Sequence, residues 1–182
     1  MAETIGVDLP GVTDPDLLYH YRLGVFHAVW GNIDVTTDFA IGQFMILDPE
    51  ETLLVTWGMP FGAKAKLLSR LIKRSSHPEK QALTTAFNAI KGDAKRDILA
   101  HGYPVEDDEH VGFIEKQRGN DFTTKLHVFT RAEFRIHVAR LIEHMHALNK
   151  ALGAPVEDVA KFVEIAKNME KSPKTSPGKP TS

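Results

Sequence analysis

The feature that most constrains the fold is a long stripe of apolar residues at helical spacing near the start of the chain. The expected N-cap is Thr13 or Asp14, and Pro15 suits the first turn of a helix. The spacing predicts one helix over about 15–47 with a buried face. Its apolar positions are Leu18, Tyr21, Val25, Val29, Ile33, Ala40 and Phe44. It also contains three glycines, which indicate close packing or a local bend: Gly24, Gly31 and Gly42.

Start and stop signals predict three more helices in the next part of the chain. Asp48-Pro49-Glu50 begins a short helix that ends near Gly58, and another helix begins near Phe61. Ser76-His77-Pro78-Glu79 has the pattern of a capping box and begins the fourth helix, which Gly102 and Pro104 end. The core face of this fourth helix carries Leu83, Phe87, Ile90, Ala94 and Ile98.

The C-terminal part contains two strand-like runs and two further helices. The runs 111–116 and 122–129 flank a turn-like Arg118-Gly119-Asn120-Asp121 and predict one β-hairpin. A second capping box, Thr130 with Glu133, begins a helix that ends at Gly153, and 156–169 forms a last amphipathic helix. We expect the Pro/Ser/Lys-rich tail, 171–182, to be disordered. The prediction is a mainly α fold: one helical-bundle domain, 1–170, with one appended hairpin.

Composition excludes several classes of protein. The 182 residues include no cysteine, which excludes disulfides, thiolate metal sites and a cysteine nucleophile. No apolar run approaches the roughly 20 residues that cross a bilayer, so we expect a cytoplasmic protein outside the membrane. Nucleotide-binding glycine motifs are missing, and the spacing of His137, His144 and His146 does not fit a metal site. We therefore expect no cofactor and no metal.

The segment Arg96-Asp97-Ile98-Leu99-Ala100-His101 carries the most suggestive chemistry. It comes at the end of the predicted fourth helix and is followed by Gly102-Tyr103-Pro104. The arginine guanidinium offers a fork of donors that suits phosphate, and imidazole titrates near neutral pH. Together these side chains suggest RNA cleavage.

This segment resembles the Arg-x-x-x-x-His signature of the HEPN superfamily, in which a short polar residue follows the arginine. Asn is commonest at that position, and this chain has Asp97. His101-Gly102-Tyr103 is also similar to the Arg-x-x-x-x-His-x-Tyr form of the HepT toxin branch. The order of elements over about 15–103 resembles the family as well. The resemblance implies a helical bundle that dimerises, and a metal-independent endoribonuclease of toxin–antitoxin or antiphage systems with an antitoxin protein as partner.

Spacing alone is weak support for this resemblance. With eight arginines and nine histidines, a chain of this length should contain about 0.4 chance matches to any one fixed spacing between an arginine and a histidine. Arg22 and His27 form a second match inside the first helix, without a polar residue after the arginine, and we interpret it as fortuitous. Arg96 and His101 differ by about 140° around a helix. A homodimer that pairs two motifs in one cleft would overcome this separation.

Four further residues have both a functional and a structural interpretation. Asp34, with Asn32 nearby, lies where the family often has an acidic residue, and either orients Arg96 or makes a structural hydrogen bond. Asp97 is four residues before His101, and either orients its ring or forms an ordinary helix ion pair. Tyr103 is either the tyrosine that a partner nucleotidyltransferase modifies in the HepT branch or an aromatic anchor.

Basic residues suggest where RNA would bind. The set comprises Lys64, Lys66, Arg70, Lys73, Arg74, Lys91 and Lys95, among which Lys66, Arg70, Arg74 and Lys95 are the favoured contacts. The structural alternative is a solvated helix face. The favoured function is metal-independent RNA cleavage, with His101 in proton transfer and Arg96 stabilising the phosphorane. The alternative is a catalytically silent dimeric module that binds a protein or RNA partner.

Overall fold

The structure, a computed structural model, describes residues 10–93, Leu99, 103–106, 110–116 and 124–171. These residues form six helices and three strands, so the mainly α fold is confirmed at the level of a helical bundle with a small sheet. The elements are α1 Pro15–Met45, α2 Pro49–Thr56, α3 Phe61–Arg74, α4 Lys80–Asp93, β1 Tyr103–Glu106, β2 His110–Lys116, β3 Thr124–Thr130, α5 Arg131–Leu152 and α6 Val156–Lys171.

Helix α1 is the centre of the bundle and packs against α2, α3, α5 and α6. Asp14 caps it, because Oδ1 accepts hydrogen bonds from the backbone N of Asp16 at 2.9 Å and of Leu17 at 3.3 Å. It ends at Met45 rather than near residue 47, because Ile46 adopts the left-handed conformation at φ 59°. The predicted apolar stripe is largely buried, with Phe26, Val29, Ile33, Ala40 and Ile41 at 0% exposure.

The close packing predicted for the α1 glycines occurs at Gly42. A Cβ atom there would collide with the side chain of Thr52, so α1 and α2 approach each other through a position without a side chain. Cβ atoms at Gly24 and Gly31 would meet nothing within 4 Å. Only one of the three glycines therefore has a packing reason.

Helix α4 begins after a turn that His77 closes. Its Nδ1 accepts a hydrogen bond from the backbone N of Glu79 at 3.1 Å, so the predicted capping box centred on Ser76 is wrong. Pro78 and the histidine ring lie in this short turn, and α4 starts at Lys80. It packs against α3 and α5 through Leu83, Phe87 and Ile90.

The sheet has one strand more than predicted. Its order is β1-β2-β3 with both pairs antiparallel, so β2 and β3 form the expected hairpin and β1 lies at the edge. Pro104 suits an edge strand, since it cannot donate to a second neighbour. The predicted turn, 118–121, lies outside the described residues. Buried Phe113 and Phe129 pack against Phe134 of α5, with ring centroids 6.1 and 6.2 Å from it.

Strand β3 continues into α5 without a loop. Thr130 is the last residue of the strand and the N-cap of the helix, and it forms the predicted capping box with Glu133. The backbone N of Thr130 donates to Glu133 Oε2 at 2.8 Å, and the backbone N of Glu133 donates to Thr130 Oγ1 at 3.1 Å. The first residue of α5, Arg131, donates to the carbonyl oxygen of Pro15 and to Asp16 Oδ1, both at 2.7 Å.

The last two helices complete the core. The predicted face of α5 is buried at Phe134, Val138, Leu141, Met145 and Leu148. The helix ends at Gly153, whose φ of 62° favours glycine. Helix α6 packs against α1 and α2.

Candidate functional site

The predicted catalytic residues Arg96, Asp97 and His101 lie outside the described residues, as does Lys95. Within the motif, Leu99 is described: it is helical and 3% exposed, and it belongs to the core. Tyr103, which follows the motif, begins β1 with its backbone opposite Ile114. The motif is therefore bracketed by Asp93, at the end of α4, and by the sheet.

A side-chain contact joins the end of α4 to α5. Asp93 Oδ2 lies 3.0 Å from Nε2 of His144 on α5, with side-chain exposures of 44% and 22%. Asp93 is three residues before Arg96 in the chain. Sequence analysis missed this pair because the two residues are 51 positions apart and neither belongs to a motif.

A cationic groove lies between α3 and α4. Lys66 and Arg70, one turn apart on α3, line a cavity of about 550 Å³ together with Ser69 and Lys91. Lys91 Nζ donates to Ser69 Oγ at 3.1 Å and lies 5.3 Å from the ring centroid of Phe87, which holds the lysine at the groove. We call this cavity the α3–α4 groove.

The groove brings together part of the predicted RNA-binding set. Lys66, Arg70 and Lys91 line it and are exposed. Arg74 is exposed in the last turn of α3, beyond the residues that line the groove. Phe61, also in the lining, supplies an aromatic surface at one side.

Lys64 does not belong to this cationic surface, and its prediction as part of an RNA path is wrong. It occupies the same row of α3 as Leu68 and Ile72, which face the core, and it is 6% exposed. Its Nζ atom donates to Asp38 Oδ2 at 2.8 Å and to Asp34 Oδ2 at 3.1 Å. Two carboxylates therefore neutralise its charge inside the protein.

Asp34 therefore has a described partner other than Arg96. Its side chain is 39% exposed and pairs with Lys64, which agrees with the structural interpretation of this residue. Asn32 is exposed on α1. Asp38, which sequence analysis did not select, is the more buried carboxylate at 8% exposure. Burial raises the pKa of Asp38 above its ordinary value, although the hydrogen bond from Lys64 lowers it.

A further site residue could have been found from the sequence, because Asp34 and Asp38 are one helical turn apart on the same face of the predicted first helix. Two acidic residues on one helix face require a cation or solvent. Lys64 supplies the cation from α3, 26 residues after Asp38.

Comparisons with known proteins found no match: neither the family models, nor the curated proteins, nor the solved structures include a significant relative. Over the ranges that the structure describes, no three histidine or acidic side chains form a group that could hold a metal ion. In the same part of the chain, none of the helices combines the length and the apolar character that crossing a bilayer requires.

Proposed function

We propose that the chain is a metal-independent endoribonuclease of HEPN type. In this proposal His101 transfers a proton at the ribose 2′-hydroxyl or at the leaving oxygen. Arg96 stabilises the negative charge that develops on the phosphorane. The products would carry 2′,3′-cyclic phosphate ends.

The α3–α4 groove is the observation that carries this proposal. Three exposed cations, Lys66, Arg70 and Lys91, line one cavity, and Lys91 is five residues before Arg96 in the chain. Cations that follow a groove are what a single RNA strand needs along its backbone, and an aromatic side chain such as Phe61 gives a base a surface to stack on. An RNA phosphate bound there would lie on the helix that leads into the motif.

The sequence predicts a homodimer that joins through the faces of the first and fourth helices, with the apolar stripe of α1 as part of the contact. That stripe is buried within the chain, against α3 and α5 among others, so it is not available to a second copy. We therefore propose the motif segment as the contact, because two-fold symmetry there would bring two arginines and two histidines into one cleft. Sedimentation equilibrium at tens of micromolar tests this, and a monomer would remove the composite site.

Cleavage of a broad panel of RNAs with excess chelator tests the activity. His101→Ala should lower the rate by about 10²- to 10⁴-fold, and Arg96→Ala by about 10²- to 10³-fold, with helical content unchanged. The matched control is His27→Ala, which alters the exposed histidine of the second Arg-x-x-x-x-His match and should leave the rate unchanged.

The groove is tested separately by RNA binding. Lys66→Ala, Arg70→Ala and Lys91→Ala should each weaken binding and reduce the salt dependence of the affinity by about one phosphate contact. Lys161→Ala, an exposed lysine on α6, is the control. Equal effects of the groove and control substitutions would remove the groove from the proposal.

A second candidate, a catalytically silent binding module, is favoured by exposed apolar residues at the end of α1 and on α2. Ile46 is 93% exposed, Leu54 71% and Trp57 67%. Asp97 also favours it, because a carboxylate in the motif repels phosphate. Asp97→Asn separates the two candidates: we expect equal or greater cleavage from this variant. If the wild-type protein and this variant are both inactive across the panel, the binding module is the better description.

A further inference from the structure

A second cavity lies on the other side of α3, away from the α3–α4 groove. It has a volume of about 440 Å³, within the range of small-molecule sites, and is bounded by α1, α2, α3 and α6. The ring of Phe162 on α6 is buried and lies 5.9 Å from the ring of Phe39 on α1, which anchors this wall. The walls are mainly apolar and include Val35, Leu53, Trp57, Phe162, Val163 and Ala166. We call it the α6 cavity.

The charged side chains that line the α6 cavity already have partners of opposite charge. Lys64 Nζ donates to Asp38 Oδ2 at 2.8 Å. Lys167 Nζ lies 3.6 Å from Oε2 of Glu164, one turn earlier on α6. The other carboxylate oxygen of Asp38 is fully buried, so a molecule in the cavity does not reach it. The lining therefore offers no unpaired charge to a ligand.

These pairs disfavour an ionic ligand of either sign. An anion would lie near Asp38, and a cation would lie near Lys64 and Lys167. In both cases the ion would lose water without gaining an unpaired opposite charge. The Thr56 hydroxyl also has a partner, since it donates to the carbonyl oxygen of Thr52 at 3.0 Å. What the cavity offers is apolar surface, which favours an uncharged apolar body.

We propose that the α6 cavity binds one small uncharged molecule with an alkyl body. A volume of about 440 Å³ is the space of roughly fifteen water molecules, so the ligand has about ten to fifteen non-hydrogen atoms. Its body packs against Leu53, Phe162 and Ala166, and a hydroxyl at one end stays in solvent beside Trp57, which is 67% exposed. This site is independent of the proposed RNA cleavage, since it shares no lining residue with the α3–α4 groove.

Straight-chain alcohols test the proposal by calorimetry on the full chain at pH 7. From 1-hexanol to 1-nonanol the polar end is constant and the alkyl body grows. Each methylene group that enters the cavity should tighten binding by about three- to fourfold, with one molecule bound per chain. Absence of saturable binding by these alcohols overturns the proposal. An affinity that does not depend on chain length overturns it as well, because the alkyl body would then not be buried.

Ions with the same alkyl body test whether the cavity is indifferent to charge. At pH 7 octylamine is a cation and octanoate is an anion, and each has the eight carbons of 1-octanol. We expect 1-octanol to bind about tenfold or more tightly than either ion, because neither ion regains the water that it loses. Equal or tighter binding of the amine or of octanoate would show that the cavity selects a charge, and it would overturn the proposal of an uncharged ligand.

Trp57 and Ala166 locate the bound alcohol. The chain has two tryptophans, and the other, Trp30, lies in the core, so binding should shift the emission of Trp57 to shorter wavelength. Trp57→Phe should abolish this shift while calorimetry still detects binding. Ala166→Phe places a ring in the cavity and should weaken 1-octanol about tenfold or more, whereas Ala160→Phe on the exposed side of α6 should not. Undiminished binding to the Ala166→Phe protein would show that the alcohol binds elsewhere. The chain-length comparison in the unaltered protein holds even if a variant fails to fold.

Discussion

Replacing Lys64 with methionine removes the one described cation between Asp34 and Asp38 while keeping the length of the side-chain stem. The buried methylene groups of the lysine have counterparts in methionine, so the change isolates the charge from the packing. After the substitution Asp38 is a buried carboxylate without its cation. We expect a large loss of stability at neutral pH that acidification partly reverses.

The burial of each carboxylate determines how much stability the Lys64→Met substitution removes. Removing one partner of a buried ion pair costs about 3 to 5 kcal/mol, and Asp38, with a side chain 11% exposed, is in this class. The Asp34 side chain is 39% exposed, so solvent screens its charge and its share is about 0 to 1 kcal/mol. The expected cost is therefore about 3 to 6 kcal/mol, or about 6 to 24 °C in Tm for a chain of this size.

The pH dependence follows from the proton that Asp38 binds. Burial already raises its pKa in the folded protein, and loss of Lys64 raises that pKa further. The folded variant then holds a proton over a pH range in which the unfolded chain has released it, so its stability rises as pH falls through this range. The limiting slope is about 1.4 kcal/mol per pH unit for one proton.

Urea denaturation at pH 7 and pH 5, followed by circular dichroism, measures both effects. Lys66→Met is the matched control, since Lys66 is two positions further along α3 and exposed. Adding Asp38→Asn to the Lys64→Met protein should restore most of the lost stability. The reasoning is refuted if the two methionine variants are equally stable, or if the loss at Lys64 is the same at both pH values.

Three further outcomes follow from local geometry, and thermal denaturation measures each. Gly42→Ala should destabilise the protein by about 1 to 3 kcal/mol, because the new Cβ atom collides with Thr52. Gly24→Ala should stabilise α1 by about 0.5 to 1 kcal/mol, because a Cβ atom there has open space. The same sign for both changes would contradict the packing argument. Ile46→Gly should stabilise by about 1 kcal/mol, since a β-branched residue is strained at φ 59° and this side chain is 93% exposed; a loss would show that the side chain makes a contact. His144→Ala should lower the free energy of unfolding by about 1 kcal/mol or less, because it removes the contact at the end of α4. Amide hydrogen exchange should become faster at the end of α4 and not in α6.

Local signals predicted those parts of the fold that short stretches of chain determine. The capping box of Thr130 with Glu133 and the stop at Gly153 were predicted because a few neighbouring backbone groups decide them. The same pattern failed at Ser76, because the ring of His77 competes for the same turn. Strand β1 was missed because four residues that include Pro104 carry little strand signal without the edge of β2 beside them.

The candidate sites show the limit of local signals more clearly. Lys66 and Arg70 were predicted on one exposed face because a helix repeats every 3.6 residues, and they line one groove. Lys64 was placed on the same basic surface, because no local pattern distinguishes a lysine that solvent neutralises from one that Asp38 neutralises across the bundle. Contacts between residues far apart in the chain depend on how the helices pack, and local patterns in a single sequence do not reveal that packing. The roles of Arg96 and His101 stay predictions.

The junction at Thr130 makes the length of the chain there as important as its composition. Loops usually absorb insertions and deletions, but this junction has no loop residue, since one threonine ends the strand and caps the helix. One added residue would turn α5 by about 100° about its axis relative to the sheet. The face that carries Phe134 and Val138 would then point away from α1 and α4, so an insertion or deletion at this junction should be tolerated less well than one in a loop.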